Sequence, residues 1–88
     1  MAEPRRAIEF YEQYRQIACA AGDRRGEAIV SWNMGLAYEN LGDLSRAAES
    51  MQVCVDYERE IGHPDAEKHA ARVAALRARL AGEPGPPG

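Results

Sequence analysis

Apolar residues recur along this chain with the spacing of amphipathic helices. In the first segment they lie three, four or seven positions apart and form one stripe on a helix. That stripe consists of Ala7, Ile8, Tyr11, Tyr14, Ala18 and Ala21. No run alternates apolar and polar residues for long enough to predict a strand. The pattern predicts an all-α chain of four helices, over residues 4–21, 24–40, 44–61 and 64–81.

Each of the other three segments carries its own apolar stripe. In the second segment the stripe consists of Val30, Met34, Ala37, Tyr38 and Leu41. In the third it consists of Ala47, Ala48, Met51, Cys54 and Val55. In the fourth it consists of Ala70, Val73, Leu76 and Leu80. We expect these stripes to meet in one core.

The ends of the predicted helices carry residues that favour starting or stopping a helix. A glycine falls every twenty residues, at Gly22, Gly42, Gly62 and Gly82. Glycine tolerates the left-handed conformation that often ends a helix. Pro4 and Pro64 suit a first helical turn, and Asp23 and Asp43 suit a capping position. Turns of one to three residues predict that each helix folds back antiparallel on the previous one.

The chain also resembles itself at an offset of forty residues. The motif Arg6-Ala7-x-Glu9 aligns with Arg46-Ala47-x-Glu49. The remaining identities pair Gly22 with Gly62, Glu27 with Glu67, Leu36 with Leu76 and Gly42 with Gly82. A fixed period of this length is typical of repeat architectures.

The middle of the chain resembles a tetratricopeptide repeat. The segment W-N-M-G-L-A-Y-E-N-L-G-D-L-S-R-A-A-E over residues 32–49 carries the resemblance. Gly35 and Tyr38 occupy the small and large positions of helix A, Gly42 lies at the turn, and Ala47 occupies the small position of helix B. Residues 7–12 resemble the start of a helix B from a preceding repeat. The forty-residue period, against 34 in the common form, resembles the long-helix subclass.

The resemblance implies a four-helix, antiparallel TPR-like helical-hairpin stack, an α-solenoid, over residues 1–81. Residues 82–88 are expected to form a disordered Gly/Pro tail. The frame is helix B, a whole A–B repeat, and a further helix A, as expected for a piece of a longer array. The fourth helix, rich in arginine and alanine, suits a cap. Gly35 and Ala47 are expected to let two helix backbones approach closely.

In this family the inner surface lined by helix A receives a peptide, which implies a groove in this chain. Carried over by position, the second helix contributes Ile29, Trp32, Asn33, Leu36, Glu39 and Asn40. The fourth helix contributes His69, Arg72, Leu76 and Arg79. Ile29, Trp32 and Leu36 form a second apolar stripe, which is either sandwiched between neighbours or presents a contact surface. Trp32 is then either structural or a recognition anchor.

Several groove residues have an alternative interpretation. Related long-helix repeats use an asparagine to hold a peptide backbone, and Asn33 has that place here, although a surface or capping role is equally consistent. Arg72 and Arg79 share a helix face and suit either an acidic partner or solvent. The clamp that some family members use for a terminal carboxylate is not reproduced, because Trp32 and Leu36 replace its polar residues.

Composition and charge argue against other functions. The formal net charge is −3 with both signs interspersed, which favours neither nucleic acid nor membrane partners. No signal peptide or membrane span is visible, and with only Cys19 and Cys54 a cytoplasmic location is expected. Cys54 is predicted to be an inert core thiol and Cys19 a more exposed one. His63 and His69, six apart, do not match a metal-ligand spacing, and His63 is interpreted as a turn residue. No cofactor, metal or catalytic group is predicted.

The sequence therefore predicts a non-catalytic scaffold for protein–protein interaction. The first alternative is self-assembly, as a homodimer or helix-exchanged oligomer through the first or last helix. Phe10 and Ile17, which lie off the main stripe of the first helix, would then be exposed to water or buried against another molecule. The second alternative is a sensor segment of a larger regulator.

Overall fold

Four helices make up most of the computed structural model, which describes residues 3–82. They are α1 (Pro4–Ala20), α2 (Arg24–Asn40), α3 (Leu44–Ile61) and α4 (Ala66–Leu80). No strand occurs within those residues. The all-α class with four helices is therefore confirmed. The predicted tail lies almost wholly outside the described residues, of which Gly82 is the last.

Local chemistry sets the helix ends. The Asp23 carboxylate accepts a hydrogen bond from the Gly26 amide at 2.8 Å, and Asp43 accepts one from the Arg46 amide at 3.1 Å. These bonds satisfy amide groups that have no partner within the helix. The four evenly spaced glycines all adopt positive φ, between 69° and 80°. A residue with a Cβ atom is strained in that conformation, which explains why glycine occurs at each turn.

The fourth helix begins two residues later than predicted, at Ala66. Pro64 and Asp65 form a turn instead, in which the Asp65 amide donates to His63 Nδ1 at 3.0 Å. The Ala66 amide donates to the His63 carbonyl at 3.2 Å. Asp65 makes no side-chain capping bond. His63 therefore belongs to the turn, as predicted, and its ring helps to close it.

Helices that follow one another in sequence pack together, α1 on α2, α2 on α3 and α3 on α4. The core between them is built mainly from the central pair. Its most deeply buried large side chains are Met34, Met51, Val55, Val73 and Leu76. Tyr14, Ala21, Leu41 and Leu80 are exposed although the pattern placed them on the inward stripes.

Gly35 brings α2 and α3 close together. A Cβ atom built on Gly35 would lie 3.0 Å from the Ala47 carbonyl oxygen and would meet the Met51 side chain. Ala47 and Met51 are both fully buried. The close approach predicted for Gly35 and Ala47 is thus present, and it depends on the missing side chain of Gly35.

Exposed ion pairs connect neighbouring helices at their ends. Arg24 at the start of α2 pairs with Glu60 at the end of α3, at 2.5 Å. Arg59 of α3 pairs with Glu67 of α4 at 3.0 Å. The hydrogen bonds from these guanidinium groups lower the pKa values of Glu60 and Glu67. A lowered carboxyl pKa contributes stability above the unfolded-state pKa and loses it as the pH falls through the folded-state value. Because the pairs are exposed to water, that contribution is small.

Candidate partner-binding face

Trp32 of α2 lies against His69 of α4, and this contact is central to the candidate face. The two ring centroids are 4.5 Å apart, with an angle of 41° between the planes. His69 Nδ1 is in turn 2.7 Å from Glu58 Oε1 of α3, whose side chain is almost fully buried. Trp32 is half-buried and packs against the edge of the core. Three consecutive helices therefore hold this indole ring in place.

Glu39 contacts two arginines, which form the charged part of the candidate face. Arg72 donates to Glu39 Oε1 at 2.7 Å, and the Arg79 guanidinium lies 3.9 Å from Glu39 Oε2. Both arginines are about half exposed, whereas Glu39 is more buried. Two cations thus share one carboxylate, which leaves a local excess of positive charge. Trp32, Leu36, Glu39, His69, Arg72 and Arg79 are called the α2–α4 face below.

Ile29 and Asn33 lie on the other flank of α2, toward α1. Together with α1 aromatic residues they line a shallow cavity of about 200 Å³. The aromatic lining residues are Phe10, Tyr11 and Tyr14. Ile29 is 53% exposed, and Asn40 is exposed near the turn after α2. Nine of the ten predicted groove residues therefore divide into the α2–α4 face, an α1–α2 cavity and an isolated asparagine.

One groove assignment is wrong. Leu76 is 3% exposed and belongs to the core cluster, so it does not line an open surface. Its counterpart forty residues earlier, Leu36, remains half-buried. The two leucines align in the repeat, but α4 turns its leucine into the core whereas α2 leaves its leucine at the edge.

Glu58 is the residue that sequence reasoning missed. It lies on the inward side of α3, seven positions after Met51, and is 6% exposed. Its carboxylate is 2.7 Å from the His69 ring and 3.6 Å from His63 Nδ1. An acid within the apolar periodicity of α3 is the signal that identifies it, since buried acids almost always have a partner.

The two cysteines differ in exposure, as predicted. Cys19 is exposed and Cys54 is buried. Burial, with a smaller effect of the neighbouring Glu58, raises the pKa of Cys54 to about 11. The thiolate is the reactive form, so Cys54 is both inaccessible and protonated at neutral pH.

We expect a thiol reagent such as 5,5′-dithiobis(2-nitrobenzoate) at pH 8 to modify Cys19 at least 100-fold faster than Cys54, because Cys54 reacts only when the core opens. Absorbance at 412 nm gives both rates. Cys19→Ser should remove the fast phase and leave the slow one, and moderate urea should accelerate only the slow phase. Equal rates in the absence of urea would contradict the burial of Cys54.

Within residues 3–82, no group of three or more His, Cys, Asp or Glu side chains is placed to hold a metal ion. Among the same residues, none of the helices is long and apolar enough to cross a membrane. Comparisons of the chain with protein-family models, with characterised proteins and with solved structures find no significant match.

Proposed function

We propose that this chain is a non-catalytic protein-interaction module that binds a peptide or partner segment on its α2–α4 face. The helices would form an antiparallel helical-hairpin stack similar to tetratricopeptide repeats, with α2 and α4 as neighbouring A helices. The observation that carries the proposal is the arrangement of Trp32, His69 and Glu39 with its two arginines. It combines a fixed aromatic ring with an exposed cationic edge.

The aromatic part suits an anchor for a partner. Trp32 is partly exposed and so available for contact, while His69 limits its rotation. A side chain already held in one position loses little entropy on binding. Tryptophan and arginine are also the residue types that most often dominate interface energies.

The cationic part indicates the chemistry of the partner. Arg72 and Arg79 together offer more donors than the Glu39 carboxylate can accept. A carboxylate of a partner peptide would accept charge-assisted hydrogen bonds from the donors that Glu39 does not satisfy. An acidic segment with an apolar residue for Trp32 is therefore the partner that fits this face.

Trp32→Ala is expected to keep the helical fold and to weaken peptide binding at least tenfold. The probe is a set of 12-residue peptides selected on the wild-type chain from a random displayed library. Binding is measured by calorimetry for both chains, and for the wild-type chain also by fluorescence of Trp32, its only tryptophan. Far-UV circular dichroism reports the fold.

Tyr57→Ala is the matched control, since Tyr57 is a half-buried aromatic residue on α3, beside Arg24 and away from the α2–α4 face. It should leave the affinity of the selected peptides unchanged. Unfolding of Trp32→Ala would instead assign Trp32 to the core. Selected peptides that bind both variants equally well would refute the site.

Self-assembly is a second candidate, favoured by the exposed side chains of Phe10 and Ile17 on α1. It concerns a different surface and is compatible with peptide binding. The sensor-segment hypothesis, the absence of catalysis and the cytoplasmic location stay predictions from the sequence.

A further inference from the structure

The two most exposed large apolar side chains of residues 3–82, Phe10 and Ile17, form a stripe with Tyr14 on the outer side of α1. Phe10, Tyr14 and Ile17 follow one another at intervals of four and three residues, which places them on one helix face. Their exposed fractions are 67%, 47% and 68%. This α1 stripe continues into the cavity beside Ile29 of α2. Contiguous apolar surface of this kind on a small domain indicates an interaction site.

The forty-residue repeat shows what packs on the equivalent side of α3. Adding forty to the numbers of the α1 stripe gives Ser50, Cys54 and Tyr57. Ser50 lies beside Met34 and Tyr38 of α2, and Cys54 and Tyr57 lie beside Ala28 and Ile29 of α2. The side of α3 that corresponds to the α1 stripe is therefore covered by α2.

The repeat counterpart of α2 is α4, whose outer side is lined with small residues. Gly35 and Tyr38 contact α3, and Ser31 lies one turn before Gly35 on the same face of α2. Adding forty to these three numbers gives Ala71, Ala75 and Ala78. Ala71 is exposed, and the other two alanines are half-buried. Their spacing of four and three residues matches that of the α1 stripe. Small residues on one helix and bulky ones on the other at the same spacing allow side chains to interdigitate.

We propose that α4 of one copy packs on the α1 stripe of a second copy, so that copies associate head to tail. The new contact repeats the α2–α3 packing seen within each chain, with α4 in place of α2 and the second copy's α1 in place of α3. Each copy then contributes the surface that the other lacks. In the assembly, α4 of the first copy is followed in space by α1 of the second copy, as α2 is followed by α3 within one chain.

The same offset supplies charge complementarity. Within one chain, Arg79 of α4 lies near Glu39 of α2, and these two positions are themselves forty residues apart. At the proposed contact, α4 of the first copy takes the place of α2, and α2 of the second copy takes the place of α4. Arg79 of the first copy then stands where Glu39 stands within one chain, and Glu39 of the second copy stands where Arg79 does, so an acid and a base again face each other. The interface therefore places the Arg79 of one copy near the Glu39 of the next, on the second copy's α2.

The size of the contact sets the concentration at which it forms. One helix on one helix, with two aromatic side chains that each bury at most about 150–250 Å², falls at the small end of specific interfaces. Association should therefore appear at roughly 10–500 µM protein, the range expected for weak, small interfaces. Since the two contacting surfaces differ, the interface leaves one free at each end and permits growth beyond the dimer.

The test uses two variants that each block one surface. Ile17→Glu places a charge on the α1 stripe, and Ala71→Glu places one on α4; both sites are exposed, so folding should be retained. Analytical ultracentrifugation from 10 to 500 µM should show concentration-dependent oligomers for the wild-type chain and monomers for each variant alone. An equimolar mixture of the two variants should form 1:1 dimers and nothing larger. Gln16→Glu, an exposed α1 position away from the stripe, should assemble like the wild-type chain.

Each other outcome overturns the proposal. A wild-type chain that stays monomeric up to 500 µM rules out the second copy as occupant and leaves a foreign partner for the α1 stripe. Dimers of Ala71→Glu alone would show a symmetric α1–α1 contact instead. Phe10→Ser is a second variant of the same stripe. If Ile17→Glu and Phe10→Ser each still assemble, α1 is not part of the interface. Peptide binding at Trp32 is measured separately, so either proposal can fail without the other.

Discussion

Replacing Met51 with alanine is expected to lower the free energy of unfolding by about 3 kcal/mol. The Met51 side chain is fully buried in the middle of α3 and lies against Gly35 of α2. Removing three heavy atoms leaves a cavity that closely packed helices can only partly close. A domain of this size is stable by roughly 4–12 kcal/mol, so the loss is a large part of the total.

Urea titration followed by circular dichroism at 222 nm measures this loss. Val53→Ala on the same helix is the control, because Val53 is apolar but only half-buried. It should cost less than about 1 kcal/mol, since truncations outside the packed core have small effects. Equal losses for the two variants would mean that Met51 is no more tightly packed than a surface residue.

The helix ends could be predicted because each depends on residues within one turn. Asp23 and Asp43 satisfy amides three residues later, and the glycines adopt the conformation that the chain needs to reverse. The start of α4 was predicted less well for the same local reason. Two turn-forming contacts with His63 compete with the helix there and delay its first turn to Ala66.

The candidate site was predicted only in part, because hydrophobic periodicity describes one helix at a time. The family resemblance placed Trp32 and Leu76 in one groove, but only packing decides that Leu76 is buried while Trp32 stays half-buried. The contact of Arg72 with Glu39 joins residues 33 positions apart and depends on how α2 and α4 lie beside α3. No local pattern carries that information.

The buried carboxylate of Glu58 also shows that a pattern within one helix does not reveal contacts with another helix. Its position in the apolar pattern of α3 is visible in the sequence, but its partner His69 comes from the next helix. A search for acids at inward positions would have found Glu58. It would not have shown that Glu58 positions the ring on which Trp32 packs.

Gly35→Val is expected to destabilise the fold by about 3 kcal/mol, the upper end of the usual cost of overpacking. Helix propensity opposes this loss, because removing a glycine from a helix interior gains up to about 1 kcal/mol. The steric clash outweighs this gain, because the added Cβ would lie 3.0 Å from the Ala47 carbonyl oxygen, which moves only if α3 moves. The net change in the free energy of unfolding is therefore a loss. Urea titration gives the net effect, and the difference between Ala74→Gly and Ala74→Val on the exposed side of α4 measures the propensity term by itself.

A double-mutant cycle with Met51→Ala separates the two contacts of Gly35. Gly35→Ala adds only the Cβ atom, which meets both the Met51 side chain and the Ala47 backbone. Truncating Met51 removes the first clash and leaves the second, so Gly35→Ala should cost about 1 kcal/mol less in that background. Additive losses would place the whole penalty on the Ala47 carbonyl and would contradict the Met51 contact. A stabilised Gly35→Ala variant would show that α2 and α3 are not held at this distance, because propensity would then outweigh the sterics.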